Sequence, residues 1–251
     1  MAQQGFDVRS EDRRLDSLRI HVSHAGRTSH AGVLLYPTIM GLDDTMRAFA
    51  KSFASKGLTA VVWDPYDGED GTGNVKEMFA KSKQREDKSV VRDLKLIVDY
   101  MKSALDLTSI AGVGWCFGGR IAILHGGSDD RIEALSSYNP TIWSPTPVSI
   151  EGMPVPLSRS DFQGQTMDEF ALAPAVRGPV QVCRPEHDFT QPAEYQRLID
   201  ALHTRHDPTF YEYYPGSGHG FSYTPGQANE SAHRFAWAAT LSLLSARLLG
   251  Q

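Results

Sequence analysis

A cysteine set among glycines limits what this chain can fold into more than any other feature of its sequence. Residues 114–119 read GWCFGG, with Cys116 near the centre. The apolar run at residues 110–113 predicts a strand, and residues 120–124 predict a helix. Glycines two positions before and two positions after the cysteine allow a turn sharp enough to lift its side chain above a sheet. The first N–H groups of the following helix point at the sulfur, which favours a thiolate.

This pattern leaves two interpretations of Cys116. Many free cysteines are buried and inert. A glycine-flanked cysteine on its own is as typical of a structural residue as of a nucleophile. Here a strand pattern precedes the cysteine, a helix pattern follows it, and an acid and a histidine come later in the chain. We therefore predict that Cys116 is a nucleophile.

Length and composition are those of a globular protein with one domain. A chain of 251 residues can bury a large core, and 41% apolar and 22% charged residues are ordinary for such a protein. The formal net charge of −5 argues against binding to nucleic acid or to an anionic membrane surface. No run of about 18 apolar residues occurs, so we expect no membrane-spanning helix.

Two observations predict a cytoplasmic protein. Residues 1–7, MAQQGFD, have neither the basic start nor the apolar stretch of a signal peptide. The two cysteines, Cys116 and Cys183, could form a disulfide. A nucleophilic Cys116 must stay reduced, however, and cytosolic thiols are kept in that state.

Strand and helix patterns alternate along the chain and predict an α/β fold, with a mostly parallel central sheet and helices on both faces. The predicted strands are residues 18–22, 32–36, 59–63, 109–114, 132–138, 179–183 and 209–214. Besides the helix after Cys116, the predicted helices are residues 45–56, 75–82, 88–105, 192–203 and 228–249. In such sheets the functional site lies at the carboxyl ends of the strands.

Residues 139–177 depart from this alternation. They contain six prolines and are too long for a plain connection. We predict that they form a lid or a pocket wall that carries Trp143, Met153 and Phe162. The alternative is a surface excursion without a role.

A cysteine nucleophile needs a base within hydrogen-bond reach, and the base needs an orienting group. His219 follows a predicted strand and lies between glycines, so we predict that it is the base rather than a solvated loop histidine. Asp188 follows another predicted strand, and we predict that it orients His219. Two alternatives remain: Glu186 is the orienting acid, or Asp188 serves only the entry of the next helix.

These segments resemble the dienelactone hydrolase family of the α/β-hydrolases, most of which carry serine where this chain has Cys116. The resemblance rests on GWCFGG at 114–119, DFTQP at 188–192, GHGF at 218–221, YPTIMG at 36–41 and WDPY at 63–66. It implies one α/β-hydrolase domain over residues 1–251. It also implies that a Cys116–Asp188–His219 triad hydrolyses a small ester or lactone without a cofactor, with the backbone N–H groups of Ile39 and Phe117 as the oxyanion hole.

Two positions differ from the family pattern. Thr38 stands in the oxyanion loop where the dienelactone enzymes have a glutamate that interacts with the resting thiol. The sequence therefore does not show how Cys116 is activated. Tyr223 stands where those enzymes have an arginine for the substrate carboxylate.

The substrate pocket is consequently expected to be neutral, with Thr38, Trp143 and Tyr223 among its residues. An anionic substrate would need a positioned arginine. Arg85 and Arg92 are better explained as part of a charged, solvated helix face. The main alternative is that Arg159 or Arg177 folds inward. We therefore expect a neutral ester, lactone or other acyl compound.

Other functions are compatible with the same residues. A thioesterase or an acyl transferase would use the same triad, and a catalytically idle scaffold could bind a ligand. His21, His24 and His30 have no cysteine or carboxylate at ligand spacing, so we predict no metal site. We expect a small-molecule substrate and no nucleic-acid partner; the sequence does not predict the oligomeric state.

Overall fold

The computed structural model describes residues 7–26, 30–68, 74–150 and 155–250. Eight strands form one sheet in the order β1-β2-β4-β3-β5-β6-β7-β8. The β1–β2 and β2–β4 pairs are antiparallel, and all other neighbours are parallel. The strands are β1 (Val8–Leu15), β2 (Leu18–Ala25), β3 (Ala31–Tyr36), β4 (Thr59–Trp63), β5 (Ser109–Trp115), β6 (Ile132–Tyr138), β7 (Val180–His187) and β8 (Thr209–Gly218). The predicted mostly parallel α/β sheet is confirmed.

Helices cover both faces of this sheet, as predicted. They are α1 (Asp44–Ala54), α2 (Val75–Lys83), α3 (Asp87–Ser103), α4 (Phe117–Gly126), α5 (Glu169–Leu172), α6 (Pro192–Leu202) and α7 (Gln227–Leu244). Strand β3 shows how the two layers arise. Val33 and Leu35 pack with residues of α1 and α7, whereas Leu34 and Tyr36 pack with residues of α3, α4 and α6. Successive side chains of a strand point to opposite faces, so one fully buried strand contributes to two cores.

The strand β1 was not predicted. Its sequence, VRSEDRRL, is mostly exposed and shows no alternation of apolar and polar residues. Backbone hydrogen bonds to β2 hold this strand in place. The turn between the two strands contains Asp16, which has a φ of 52°. Pairing with a neighbour therefore determines this edge strand, and hydrophobic periodicity carries no signal for it. The predicted helix at 228–249 is α7 followed by one π-helical turn, Ser245–Leu249.

A buried ion cluster ties the excursion at residues 139–177 to the helix after Cys116. Arg120 of α4 pairs with Asp87 at 2.8 Å and with Glu169 at 3.0 Å, and all three side chains are at most 2% exposed. Arg159 pairs with the other oxygen of Glu169 at 2.5 Å. Because removing one partner leaves an uncompensated buried charge, a break here costs about 3–5 kcal/mol. Residues 159–169 are therefore anchored, while Met153 lies outside the described residues.

Candidate active site

The turn at Cys116 joins β5 to α4. Cys116 has a φ of 55° and a ψ of −119°, values that few residues other than glycine adopt. A Cβ at Gly114 would lie 2.2 Å from the carbonyl oxygen of Gly118, and a Cβ at Gly118 would lie 2.1 Å from that of Tyr36. Both positions need glycine because strand, helix and the neighbouring loop approach too closely for any side chain. The turn holds Cys116 at the carboxyl edge of the sheet, only 6% exposed.

His219 and Asp188 reach this edge from the loops after β8 and β7. Nδ1 of His219 lies 2.8 Å from Oδ1 of Asp188, and the imidazole is close enough to the Cys116 thiol to lower its pKa. Glu186, the alternative acid, instead accepts a hydrogen bond of 2.7 Å from the backbone N–H of Gly216. The structure thus brings the cysteine, the histidine and the aspartate together, and the carboxylate that meets the imidazole belongs to Asp188.

Three further side chains surround these atoms. Oγ1 of Thr141 lies 3.3 Å from Sγ of Cys116, and Nδ2 of Asn139 lies 3.3 Å from Nε2 of His219. Burial raises the pKa of the Tyr223 hydroxyl well above its usual value, and the neighbouring Cys116 and Asn139 side chains also act on that pKa. The sequence analysis missed Asn139 and Thr141 as site residues. They directly follow β6, so the convergence of strand ends was the signal that could have identified them.

The charges around Cys116 favour a thiolate. Burial raises the pKa of the Cys116 thiol, but the charge of His219 and hydrogen bonds from His219, Thr141 and the Phe117 N–H outweigh it and bring the pKa below its usual value. Burial lowers the pKa of His219, yet the charges of Asp188 and Cys116 raise it to about 10. The two shifts belong to one coupled pair. Both shifts favour a thiolate at Cys116 and an imidazolium at His219.

The loop after β3 packs against the turn at Cys116. Thr38 is buried, and its hydroxyl accepts a hydrogen bond of 3.1 Å from the Met40 N–H within the same loop. The carbonyl of Ile39 accepts a hydrogen bond of 2.9 Å from the Tyr66 hydroxyl. Ile39 lines one cavity together with Cys116. The loop is thus fixed beside the sulfur, and Thr38 stabilises the loop itself.

The cavity above the sulfur is small and mostly apolar. Its volume is about 10 Å³, which is close to the space that one water molecule needs. Its walls are Ile39, Phe79, Ser82, Cys116, Phe117, Thr141, Trp143, Phe162 and Gln165. A larger groove of about 740 Å³ lies between the α2–α3 connection and residues 161–166, but it contains none of the residues predicted for the site. The chemistry therefore belongs to the small cavity.

Trp143 and Phe162, together with Phe79 and Phe117, form the aromatic part of the wall. The rings of Trp143 and Phe162 are stacked with centroids 4.2 Å apart, and the Trp143 ring also stacks on Phe189 at 5.4 Å. The Phe189 ring in turn lies 4.1 Å from the ring of His219. An aromatic stack therefore runs from the cavity wall to the imidazole.

Of the four arginines considered in the sequence analysis, three lie away from the cavity and one, Arg85, lies near it. Arg159 pairs with Glu169, and Arg177 pairs with Asp130 at 3.3 Å on the surface, with its side chain 66% exposed. Arg92 is exposed on its helix, as expected.

Arg85 does not lie on a solvated helix face, and that interpretation was wrong. It lies in the connection between α2 and α3, with its guanidinium 5.6 Å from the ring centroid of Tyr66 and 6.0 Å from that of Trp63. Because Tyr66 also holds Ile39, Arg85 is a cation close to the candidate site. Tyr223 occupies the position past His219 where the family has an arginine.

The histidines near the amino terminus have contacts of their own. His21 contacts Asp12 at 2.7 Å and Ser23 at 3.1 Å, and His30 contacts the carbonyl of Asp106 at 2.9 Å. Over the part of the chain that the structure describes, no group of three or more His, Cys, Asp or Glu side chains could hold a metal ion. Within that same part, no helix is both long and apolar enough to cross a membrane.

Comparison with known proteins gives one family match. Residues 20–248 match the sequence model of the dienelactone hydrolase family. No curated protein is significantly similar to the chain.

Solved structures share the fold at low sequence identity. The dienelactone hydrolase-like promiscuous phosphotriesterase P91 from metagenomic libraries has 15% identity and a TM-score of 0.75, with 97% of this chain and 99% of that chain covered. The α/β-hydrolase GrgF from Penicillium sp. sh18 has 16% identity and a TM-score of 0.70, with 96% and 99% covered. Est1E from Butyrivibrio proteoclasticus has 14% identity and a TM-score of 0.65, with 94% and 99% covered. At these identities the likeness establishes the α/β-hydrolase fold alone.

Proposed function

The chain belongs to the dienelactone hydrolase family, and from that premise we propose that it hydrolyses small esters or lactones with Cys116 as the nucleophile. One observation carries the proposal: a thiol of lowered pKa at a strained turn faces a histidine that an aspartate orients. A reactive cysteine needs an electropositive, partly accessible setting, and His219 supplies it. The family membership indicates a hydrolase, and the Cys116 environment supports the choice of nucleophile.

The first half of the reaction forms a thioester. The Cys116 thiolate attacks the substrate carbonyl carbon, and the electron pair of the C=O bond moves to its oxygen. The N–H groups of Ile39 and Phe117 bind this oxyanion; one such donor contributes about a hundredfold to a thousandfold in rate. When the intermediate collapses, the C–O bond to the alcohol breaks, and the alkoxide takes a proton from the His219 imidazolium.

The second half releases the acid. His219, now neutral, takes a proton from a water molecule, and the hydroxide attacks the thioester carbonyl. The C–S bond breaks, the Cys116 thiolate is restored, and His219 is again an imidazolium. Asp188 keeps the Nδ1–H of His219 directed at itself, so Nε2 faces the sulfur and the reacting groups. In a lactone the departing alcohol stays attached to the acyl group.

We propose that the acyl group bound next to this cavity is neutral. The cavity walls carry aromatic and aliphatic side chains with a few neutral polar groups, and Tyr223 stands beside the sulfur. The position of Arg85 favours an anionic substrate instead. Its guanidinium lies over Tyr66, whose hydroxyl contacts Ile39 in the cavity wall. Rates on a neutral lactone and on its carboxylate-bearing analogue decide between them. A strong preference for the carboxylate that Arg85→Gln removes would overturn the neutral assignment.

The central experiment is to trap the acyl group. Wild-type protein mixed with a small activated ester should gain the mass of the acyl group on the peptide that contains Cys116. Cys116→Ala should lose both the adduct and at least about a thousandfold in hydrolysis, since the nucleophile is the member on which a triad depends. Cys183→Ala is the matched control and should keep both. Full hydrolysis by Cys116→Ala, or equal loss in the two variants, would refute the proposed nucleophile.

Two further expectations rest on this proposal. A thioesterase or an acyl transferase would form the same acyl-enzyme, and adding thiol or alcohol acceptors to the trapped enzyme distinguishes transfer from hydrolysis. A nucleophilic thiol must remain reduced, so we propose a cytoplasmic location.

A further inference from the structure

Two buried polar atoms beside the sulfur have no partner. The indole N–H of Trp143 and the side-chain oxygen of Gln165 are both buried, and neither has a hydrogen-bond partner among the described residues. Trp143 is 2% exposed and Gln165 is 6% exposed, and both line the cavity that contains Cys116. Buried polar atoms are nearly always hydrogen-bonded, because an unpaired one loses its water without compensation. These two atoms therefore call for a ligand.

The other hydroxyl groups of the cavity are already engaged. Oγ of Ser82 donates to the Phe79 carbonyl at 3.0 Å, and Oγ1 of Thr141 lies 3.3 Å from the Cys116 sulfur. Among the described side chains of the cavity wall, the missing partners are thus those of one donor and one acceptor. A group that both accepts and donates a hydrogen bond matches this pair, and a hydroxyl is the smallest such group. The cavity volume of about 10 Å³ suits a group of that size.

The Trp143 ring and the backbone of Gln165 are held in place before any ligand binds. The Trp143 ring is stacked between Phe162 and Phe189, so the direction of its N–H is fixed. Gln165 donates its backbone N–H to the Phe162 carbonyl at 2.9 Å. A donor with a fixed direction recognises a ligand at a low cost in entropy.

The segment that carries Gln165 is anchored to the helix that follows Cys116. Gly164 accepts a backbone hydrogen bond of 3.0 Å from Asp87, and the Met167 N–H donates to the Asp87 carboxylate at 2.9 Å. Asp87 forms the ion pair with Arg120 of α4. The turn at Cys116 and the backbone around Gln165 thus belong to one connected framework.

We infer that Trp143 and Gln165 recognise a hydroxyl group on the acyl part of the substrate, so that the enzyme prefers small hydroxyacyl esters. The inference rests on the proposed function, because it places the hydroxyl of an acyl group bound to Cys116 in the cavity beside the sulfur. Trp143 donates to the hydroxyl oxygen, and the hydroxyl donates to Gln165. A deoxy substrate leaves both protein atoms unpaired.

The test compares methyl butyrate with methyl 2-hydroxybutyrate and methyl 3-hydroxybutyrate, with kcat/KM measured for each by acid release. The selectivity is the hydroxyl-to-deoxy ratio, and comparing this ratio between variants cancels the intrinsic reactivity of the esters. Trp143→Phe keeps the aromatic stack and removes the N–H, and Gln165→Met keeps the length and removes the amide. Each should lower the selectivity of the better hydroxy ester about 10- to 100-fold. Trp237→Phe, the same exchange on the opposite face of the sheet, should leave the selectivity unchanged.

The outcomes separate this inference from the proposed function. If the esters are hydrolysed with the same selectivity in all variants, an ordered water fills the two hydrogen bonds and the inference is overturned, while the proposed function stands. If no ester is hydrolysed, calorimetry with the intact esters and the Cys116→Ala protein measures recognition by itself. A hydroxyl preference in binding that Trp143→Phe removes would support the inference even then, and equal binding of all three esters would overturn it.

Discussion

The two cysteines of this protein are both free and both buried, yet their surroundings shift the pKa of the two thiols in opposite directions. Cys116 is 6% exposed and Cys183 is 0% exposed. Burial raises the pKa of each thiol. At Cys116 the charge of His219 reverses this effect, whereas at Cys183 the carboxylate of Glu212, 3.8 Å from the sulfur, adds to it.

The backbone differs between the two positions as well. Cys183 lies inside β7 in regular register with Tyr138 of β6. Cys116 lies one residue beyond the end of β5, with a φ of 55°. The comparison teaches that burial does not decide whether a cysteine reacts: the sign of the adjacent charge and the place on the sheet edge do.

Alkylation rates test the difference between Cys116 and Cys183 most directly. With iodoacetamide at pH 7, Cys116 should react at least about a hundredfold faster than Cys183, because its neighbour stabilises the thiolate form. Peptide mass spectrometry over time measures both rates in one sample. Comparable rates would mean that burial outweighs the charge of His219 at Cys116.

Removing the imidazole should make the two thiols alike. In His219→Ala, burial again dominates at Cys116, so the pKa of its thiol rises and the thiolate form becomes less favoured. We expect alkylation of Cys116 at pH 7 to slow by about 10- to 100-fold, with the rise of rate against pH displaced to alkaline values. A pH profile that does not move would contradict the thiolate–imidazolium pair.

Replacing Asp188 with asparagine should also slow the alkylation of Cys116, but less than the loss of the imidazole does. Asp188 helps to hold the pKa of His219 at about 10. In Asp188→Asn the imidazolium is less stable, so it stabilises the thiolate less, and alkylation at pH 7 should fall by roughly tenfold. Glu186→Gln is the matched control, because that carboxylate contacts Gly216 and not the imidazole. An equal loss in Glu186→Gln would transfer the orienting role.

The smallest effect concerns Thr141. Thr141→Val keeps the shape and removes the hydrogen bond to the Cys116 sulfur, so the pKa of the thiol should rise slightly. A decrease of roughly two- to fivefold in the alkylation rate at pH 7 is expected from one neutral hydrogen bond. A rate equal to that of the wild-type protein would show that the hydroxyl does not stabilise the thiolate.

Local signals in the sequence predicted much of this molecule. The glycines around Cys116 indicated the elbow because the required backbone conformation depends on residues that are adjacent in the chain. The strand and helix patterns predicted every element except β1 and the short α5, since burial of one face leaves a period in the sequence. The order of Cys116, Asp188 and His219, each after a strand, predicted the sheet edge at which they meet.

The sequence patterns did not predict contacts between segments that are distant in the chain. The position of Arg85 over Tyr66 and the buried Arg120–Asp87–Glu169 cluster depend on how loops and helices from different parts of the chain pack. No spacing in the sequence encodes such pairs. The same holds for Asn139 and Thr141, whose proximity to His219 and Cys116 follows from the pairing of β5 with β6.

The sequence by itself thus determined where the sharp turn lies, which residues alternate into strands and helices, and which residue types reach the active edge. Packing between distant segments determines that Asp188 rather than Glu186 meets His219 and that Cys183 lies beside a carboxylate. It also leaves the indole N–H of Trp143 and the side-chain oxygen of Gln165 without a hydrogen-bond partner among the described residues. The reason is physical. Backbone conformation and periodicity are properties of neighbouring residues, whereas a pKa or an unpaired hydrogen bond depends on every group that the fold brings within a few ångströms.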